Sequence, residues 1–393
     1  LNKSPFSDEI NRLIELIGYY GYDYPNHQTL KYRMAAQALI WEKTGGQIIE
    51  FWTERYGYGD YIDVSKEKNE IMRLVNNHQN KPSFHQKNFN IVLGSELELI
   101  DTNNLLENFI ILEDSINAEI KDNTLIIKPN KVGTITLNLS KKRYDDERSI
   151  IYIGSNPKTQ KMGFFRFSED VISTITINVL SGSISINKID YDTKTEIPVT
   201  NKATLKDAKY GIYNEKEELI TTLITDEKGY AQSEQFLSTG KYYLKEISPS
   251  KGYTLDESKY YFEINENNLE VNLSVYEKII NCDIEIEKFL KNKQTNILEK
   301  EPGIKFVVYD DNNKYITEII TNEEGYVNVN LIYGTYIFKQ INTTSGYQKV
   351  DDFKVIVDEK SQNTIKYSLI NLPIEMKIKV IKKDYDSKKP ILP

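Results

Sequence analysis

The sequence predicts a multidomain, mainly β chain. A helical α+β segment opens it, an immunoglobulin-like β-sandwich follows, and β-sandwich modules in tandem complete it. Three observations predict this order. A segment occurs twice: residues 225–256 contain TDEKGY, GKYYLKE and KGYTLD, and residues 321–352 contain TNEEGY, GTYIFKQ and SGYQKVDD. The spacings repeat as well, with 12 residues from Tyr213 to Thr225 and from Tyr309 to Thr321, and 12 from Gly240 to Gly252 and from Gly334 to Gly346. Between residues 84 and 180 apolar residues recur with period two, whereas residues 1–82 carry helix caps and helical spacing.

In the first segment, Ser7 or Ser4 caps a helix reaching about Gly18, with Ile10, Leu13, Ile14 and Ile17 at helical spacing. A Tyr/Gly-rich turn follows from Tyr19 to Pro25. Thr29 then caps LKYRMAAQALIWEK, which Gly45-Gly46 ends. Leu30, Met34, Ala38 and Trp41 form one stripe of this helix, and Gln37 falls beside it. A third helix starts at Ser65, places Ile71, Leu74 and Val75 on one face, and is ended by Pro82.

From 83 to 181 the runs ELELID, NFIILE, NTLIIKP, GTITLNL, SIIYIG and STITINVL are strands of a sandwich, broken by Gly, Asn and Pro. The duplicated modules cover 182–281 and 282–375, and a third begins at 376–393. Lys188 to Lys288 is 100 residues and Lys288 to Lys382 is 94, which sets the unit length. Little linker separates the units, so the array is expected to be stiff.

Composition bounds the function. At roughly 100–200 residues per domain, 393 residues make two to four domains. Hydrophobic residues at 39% and aromatics at 11% suffice for packed cores. The net charge is −8, and the basic residues are scattered without a Lys/Arg stripe, which argues against nucleic acid. No run approaches the ~18 apolar residues of a membrane span. A single cysteine excludes a disulfide framework. The chain reads as an excerpt, so missing terminal signals carry no weight.

Each module opens on a strand with one lysine among apolar residues: SISINKID (Lys188), DIEIEKFL (Lys288) and KIKVIKKD (Lys382). Lys188 shares parity with Ile184 and Ile186, and Lys288 with Ile284 and Ile286, so both face the side that should be core. A buried lysine costs several kcal/mol unless paired or neutral, and desolvation lowers its pKa. The competing reading is an edge-strand lysine that snorkels to water.

These modules resemble the collagen-adhesin B-type domains (SpaA-like, prealbumin-like) of Gram-positive surface proteins and pili. The resemblance rests on the first-strand lysine, the Gly-x-Tyr-x-x-Lys-Glu strand with its Gly-Tyr turn, and an Asn in the last strand. It implies an intramolecular Lys–Asn isopeptide bond, in which a free amine attacks a carboxamide polarised by a protonated glutamic acid and ammonia leaves. Such a domain turns over once and is not an enzyme.

In the first module the matching residues are Lys188 and Glu246. Asn371 lies 11 residues before Lys382, but the residue 11 before Lys288 is Glu277, which is expected to ion-pair with Lys188 rather than form an amide. In the second module Lys288 and Asn371 match. Gln340 stands at the acid position, and Glu301 is the candidate stand-in.

The run AAQALIWE, with YYGYDYP upstream and DVSKEKNEI to HQNKPSF downstream, resembles the thioester domain of Gram-positive adhesins. Gln37 and Trp41 match its Thr-Gln-x-Ala-x-Trp helix, while Ala36 and Leu39 replace its Thr and Ala. The resemblance implies a Cys–Gln thioester that captures surface amines. The partner cysteine is absent here and is expected before Leu1, unless the bond has been lost. Cys282, at a module junction, is read as a small apolar boundary residue.

His27, His78 and His85 are isolated, so no metal site is expected, and no cofactor is implied. The tyrosines between 19–24 and 56–61 are read as packing, with a sugar-binding platform as the alternative. The leading expectation is therefore a cell-wall-anchored, extracellular adhesin of a Gram-positive bacterium. Its partners would be host or environmental protein amines, with peptidoglycan joined through a sorting signal outside this chain. The alternatives are a purely structural stalk or pilus subunit and a non-covalent glycan-binding module.

Overall fold

The structure is a computed structural model that describes residues 6–112, 116–144, 150–152, 155–156, 162–165, 170–233, 237–383 and 385–390. It divides into two compact units, Leu1–Ser181 and Gly182–Pro393.

In the first unit, α1 (Asp8–Tyr19) starts at Ser7, whose hydroxyl accepts from the Ile10 amide at 3.3 Å. Ser4, the other candidate cap, lies outside the described residues. Thr29 caps α2 (Leu30–Gly45) in the same way through the Tyr32 amide at 3.4 Å. Gly46 ends α2 with φ 72°, where glycine avoids the Cβ penalty of a left-handed residue. Helix α3 spans Ser65–Asn76 and buries Ile71 and Val75. Lys68 of α3 reaches Glu42 of α2 at 2.6 Å.

The expected stripe on α2 needs correction. The buried face is Ala35, Ala36, Ala38 and Leu39, whereas Leu30 and Trp41 are exposed. The turn after α1 comes so close that a Cβ on Gly21 would lie 2.9 Å from the Ala36 Cβ, so only small residues fit on that face.

All six strands read from the sequence between 83 and 181 occur, including Ile150–Tyr152 from SIIYIG, whose Ser149, Ile153 and Gly154 lie outside the described residues. Asn88–Val92, Ala118–Lys121 and Met162–Phe164 add to them. One mixed sheet has the order 88–92, 172–180, 133–141, 109–111, with its first pair parallel. An antiparallel sheet has the order 97–100, 124–127, 118–121. Ile17, Ala35 and Ile71 of the helices share one core with Leu125, Leu137 and Ile177 of the strands. The boundary expected between 82 and 83 therefore does not separate two bodies.

The second unit carries both modules. In the first, strands 230–232, 183–190 and 270–277 face the sheet 219–224, 209–214, 240–248, 259–264. In the second, 281–291 lies between 326–332 and 364–371, opposite the sheet 315–320, 305–310, 334–340, 353–357. In each module the first and last strands run parallel side by side, pairing Lys188 with Val275 and Lys288 with Leu369.

The modules meet through a short joint. Ile280 donates its amide to Gly252 of the first module and accepts from the Tyr333 amide of the second. Leu205, Tyr253, Ile279 and Tyr333 pack together there. Glu359 accepts from both the Tyr333 hydroxyl at 2.9 Å and the Gly252 amide at 3.3 Å.

Candidate cross-linking sites

The lysines sit where strand parity put them. Lys188 and Lys288 are each 0% exposed, as are their neighbours Ile184, Ile186, Ile284 and Ile286. Neither side chain snorkels. Lys382 is exposed, and its segment joins no sheet among the described residues.

In the second module Lys288 Nζ lies 3.2 Å from Glu301 Oε2 and donates to the backbone oxygens of Phe289 at 3.1 Å and Leu369 at 3.5 Å. Asn371, fully buried on the parallel last strand, donates through Nδ2 to the same Glu301 Oε2 at 2.7 Å and to Thr343 Oγ1 at 2.7 Å. Glu301 Oε1 accepts from the Thr344 amide at 3.0 Å and the Thr344 hydroxyl at 2.9 Å. One carboxyl group thus touches both the amine and the carboxamide. The Asn371 Oδ1 is buried without a hydrogen-bond partner. Burial pushes the Lys288 amine below its ordinary range, against the opposing pull of Glu301.

Gln340, at the position where an acid was expected, does not join this group. Its Nε2 donates to the Asn342 carbonyl at 2.7 Å, and its Oε1 accepts from the Val350 amide at 3.2 Å. Glu246 of the first module accepts from the Asp256 amide in the equivalent way, at 2.8 Å. The acid has therefore moved between the modules, from the strand 240–248 that carries Glu246 to the loop after strand 298–300 that carries Glu301. Glu301 stands where the first module has Leu205, because Thr321 and Thr225 hydroxyls donate to their respective carbonyls.

In the first module Lys188 Nζ lies 3.0 Å from Glu246 Oε1 and 3.3 Å from Glu277 Oε1, with all three side chains buried. Glu277 pairs across the ladder with Asp190, two residues beyond Lys188, as Asn371 lies two beyond the partner of Lys288. The Tyr210 hydroxyl donates to Glu277 Oε1 at 2.7 Å, and Glu277 Oε2 is buried without a partner. Burial, with Glu246 alongside, holds the Glu277 carboxyl above the usual carboxylate range even though Lys188 pulls it down. Burial also raises the Tyr210 phenol, so it stays a donor. Tyr210, Thr343 and Thr344 were not singled out from the sequence. The pair Tyr210/Phe306, offset by 96 residues like Thr225/Thr321, was the available signal for Tyr210.

Elsewhere, Gln37 is half-buried on α2. Cys282 is fully buried in the second module, with Sγ donating to the Gln362 carbonyl at 3.0 Å. Tyr19, Tyr20 and Tyr24 pack edge to face inside the first unit, so that cluster is core, whereas Tyr58 and Tyr61 are exposed. Among the described residues no group of three or more His, Cys, Asp or Glu is placed to hold a metal, and no helix is long and apolar enough to cross a membrane.

Tandem prealbumin-like sandwiches, each enclosing a lysine against a carboxyl group, define the class of the second unit. The family model of the SpaA prealbumin-like fold domain matches residues 182–279 and 283–372, and these two segments are SpaA domains. A trypsin-resistant surface T6 protein of Streptococcus pyogenes serotype M6 is 37% identical over 65 residues, which is 16% of this chain and 12% of that protein. The Bacillus anthracis TIE protein is 19% identical with a TM-score of 0.46, covering 92% of this chain and 72% of that one. The thioester domain of the Staphylococcus aureus TIE protein is 22% identical with a TM-score of 0.34, covering 44% and 71%.

Proposed function

We propose that the chain belongs to a surface adhesin or pilus-type protein, exported to the cell wall of a Gram-positive bacterium, in which the SpaA domains form a covalently reinforced stalk. The observation that carries this reading is Glu301 lying between Lys288 and Asn371, with all three side chains buried. Lys288 passes a proton to Glu301 and its neutral amine attacks Asn371 Cγ. The C–Nζ bond forms and the C–Nδ2 bond breaks; Glu301 delivers its proton to Nδ2 so that ammonia leaves, and takes up the second proton that Nζ sheds as it becomes the amide N–H. Proximity supplies most of the rate, since effective molarities of about 10⁵ M or more are reached when groups are held in place. The step occurs once per molecule.

Loss of ammonia lowers the intact mass by about 17 Da per bond, and fragmentation assigns it to a Lys288–Asn371 link. A second module whose peptides separate freely refutes the bond.

The finer reading of the first unit is a thioester-type tip at Gln37 that captures amines on host or environmental surfaces. Cys282, the single cysteine of the sequence, is committed to the second module's core, which favours a purely structural stalk for these 393 residues. Methylamine labelling of the longer natural protein decides between them: modification of Gln37 supports the tip, and none removes it.

A further inference from the structure

The first SpaA domain lacks the carboxamide that would release ammonia, yet its buried cluster has the parts for a different bond. We propose that Lys188 and Glu277 condense to an amide with loss of water, with Glu246 as the proton carrier and Tyr210 as the donor that steadies the reacting carbonyl. This goes beyond the ammonia-releasing bond of the second module, and its test reads different peptides, so either can fail alone.

Three observations carry it. The amine and both carboxyl groups are enclosed together, at 3.0 and 3.3 Å, with no solvent exposure of any of the three side chains. Two carboxylates and one ammonium in such a site would leave an unbalanced negative charge, and the low-dielectric core disfavours that arrangement. One proton on Glu277 removes the imbalance, and burial already favours that proton. Moving a second proton from Lys188 to Glu246 leaves all three groups neutral. The cluster then holds a free amine beside a protonated carboxyl, the pair that condenses.

The two oxygens of Glu277 are also differentiated. Oε1 accepts from the Tyr210 hydroxyl at 2.7 Å, as a carbonyl oxygen does in an oxyanion site. Oε2 has no hydrogen-bond partner and is the oxygen free to depart. In the step, Nζ attacks Cδ, and the C–Nζ bond forms while the C–Oε2 bond breaks. Glu246 takes a proton from Nζ and supplies one to Oε2, and water leaves. No oxidant, reductant or co-reactant is needed. The removal of water from a dry core also opposes the reverse hydrolysis. An ion pair and this amide use the same contacts, so the 3.3 Å approach is the geometry from which the bond would form.

The experiment is peptide mapping of the intact chain, held at neutral pH and then digested with trypsin. The expected result is that Lys188 resists cleavage and that its peptide is joined to the one containing Glu277, at about 18 Da below the sum of the two. The Glu277→Gln variant supplies an independent readout. Its condensation releases ammonia instead of water, so the cross-linked peptide must have the same mass as the wild-type one, although the free peptides differ by about 1 Da. Free Lys188 and Glu277 peptides from folded wild-type protein overturn the proposal, as does a cross-linked variant mass that differs from the wild type. Because the wild-type digest needs no substitution, a variant that fails to fold does not shield the proposal.

Discussion

Lys288→Met is the sharpest probe of the second SpaA domain, because it keeps the side chain's length and apolar stem while removing the nucleophile. A Lys288–Asn371 bond closes a ring of 84 residues (371 − 288 + 1). Chain-entropy reasoning developed for disulfides gives about 4.5 kcal/mol for a ring of that size. In the cross-linked wild type Lys288 is a neutral amide, so the substitution strips no cation from Glu301, and the ring term alone sets the expected loss.

At roughly 4–8 °C per kcal/mol for a domain of this size, the ring alone corresponds to a Tm loss of about 20–35 °C. Differential scanning calorimetry of the full chain should show one transition moving by this amount while the others hold. Asn371→Ala, which keeps the Lys288–Glu301 pair, should reproduce most of the shift. A wild-type second module at its full sequence mass, with Lys288→Met within about 5 °C of it, refutes the reasoning.

Three further outcomes are expected. Glu301→Gln preserves shape but removes the proton carrier, so intact-mass measurement should show the second module's loss of about 17 Da abolished. His78 is buried and its pKa is depressed by burial, then by Lys141 and Arg12, to about 4 from an ordinary 6.5. A depressed folded-state value stabilises above the unfolded pKa, so the first unit should lose about 3 kcal/mol as pH falls from 6.5 through 4. His78→Gln should flatten that slope in denaturant titrations. Gly252 has φ +90°, and a Cβ there would lie 2.7 Å from the Ala203 Cβ and 3.1 Å from Tyr333 Cδ1. Gly252→Ala should therefore cost roughly 1–3 kcal/mol and speed hydrogen exchange at the joint.

Much of this architecture was legible from residue order. Ser7 and Thr29 announced their helices because a cap needs a side-chain oxygen at one defined place. Strand parity put Lys188 and Lys288 in the core because alternate residues of a strand share a face. Three things escaped. The stripe on α2 was misread because large apolar residues were weighted over alanines, and the tight approach of Gly21 reverses that weighting.

The boundary at 82 was drawn where the period changed, yet a change of period says nothing about whether helices and strands share a core. Glu301 was named without a position beside Lys288. Aligning Thr321 with Thr225 sets Glu301 against the buried Leu205, and a carboxyl at a core position is itself a signal for a partner. Which groups meet across the fold, as Asn371 meets Glu301, depends on long-range pairing that a local pattern does not encode.

The side-by-side parallel placement of the first and last strands has a mechanical consequence. Tension entering the second SpaA domain at Asn281 and leaving beyond Asn371 pulls the two neighbours past each other, so the ladder between them is sheared as a whole instead of peeled rung by rung. With a Lys288–Asn371 amide in place, the pull crosses from one strand to the other at that bond. The 82 residues from 289 to 370 then hang outside the load path. The sandwich could fray under drag while the chain that carries the strain kept its length.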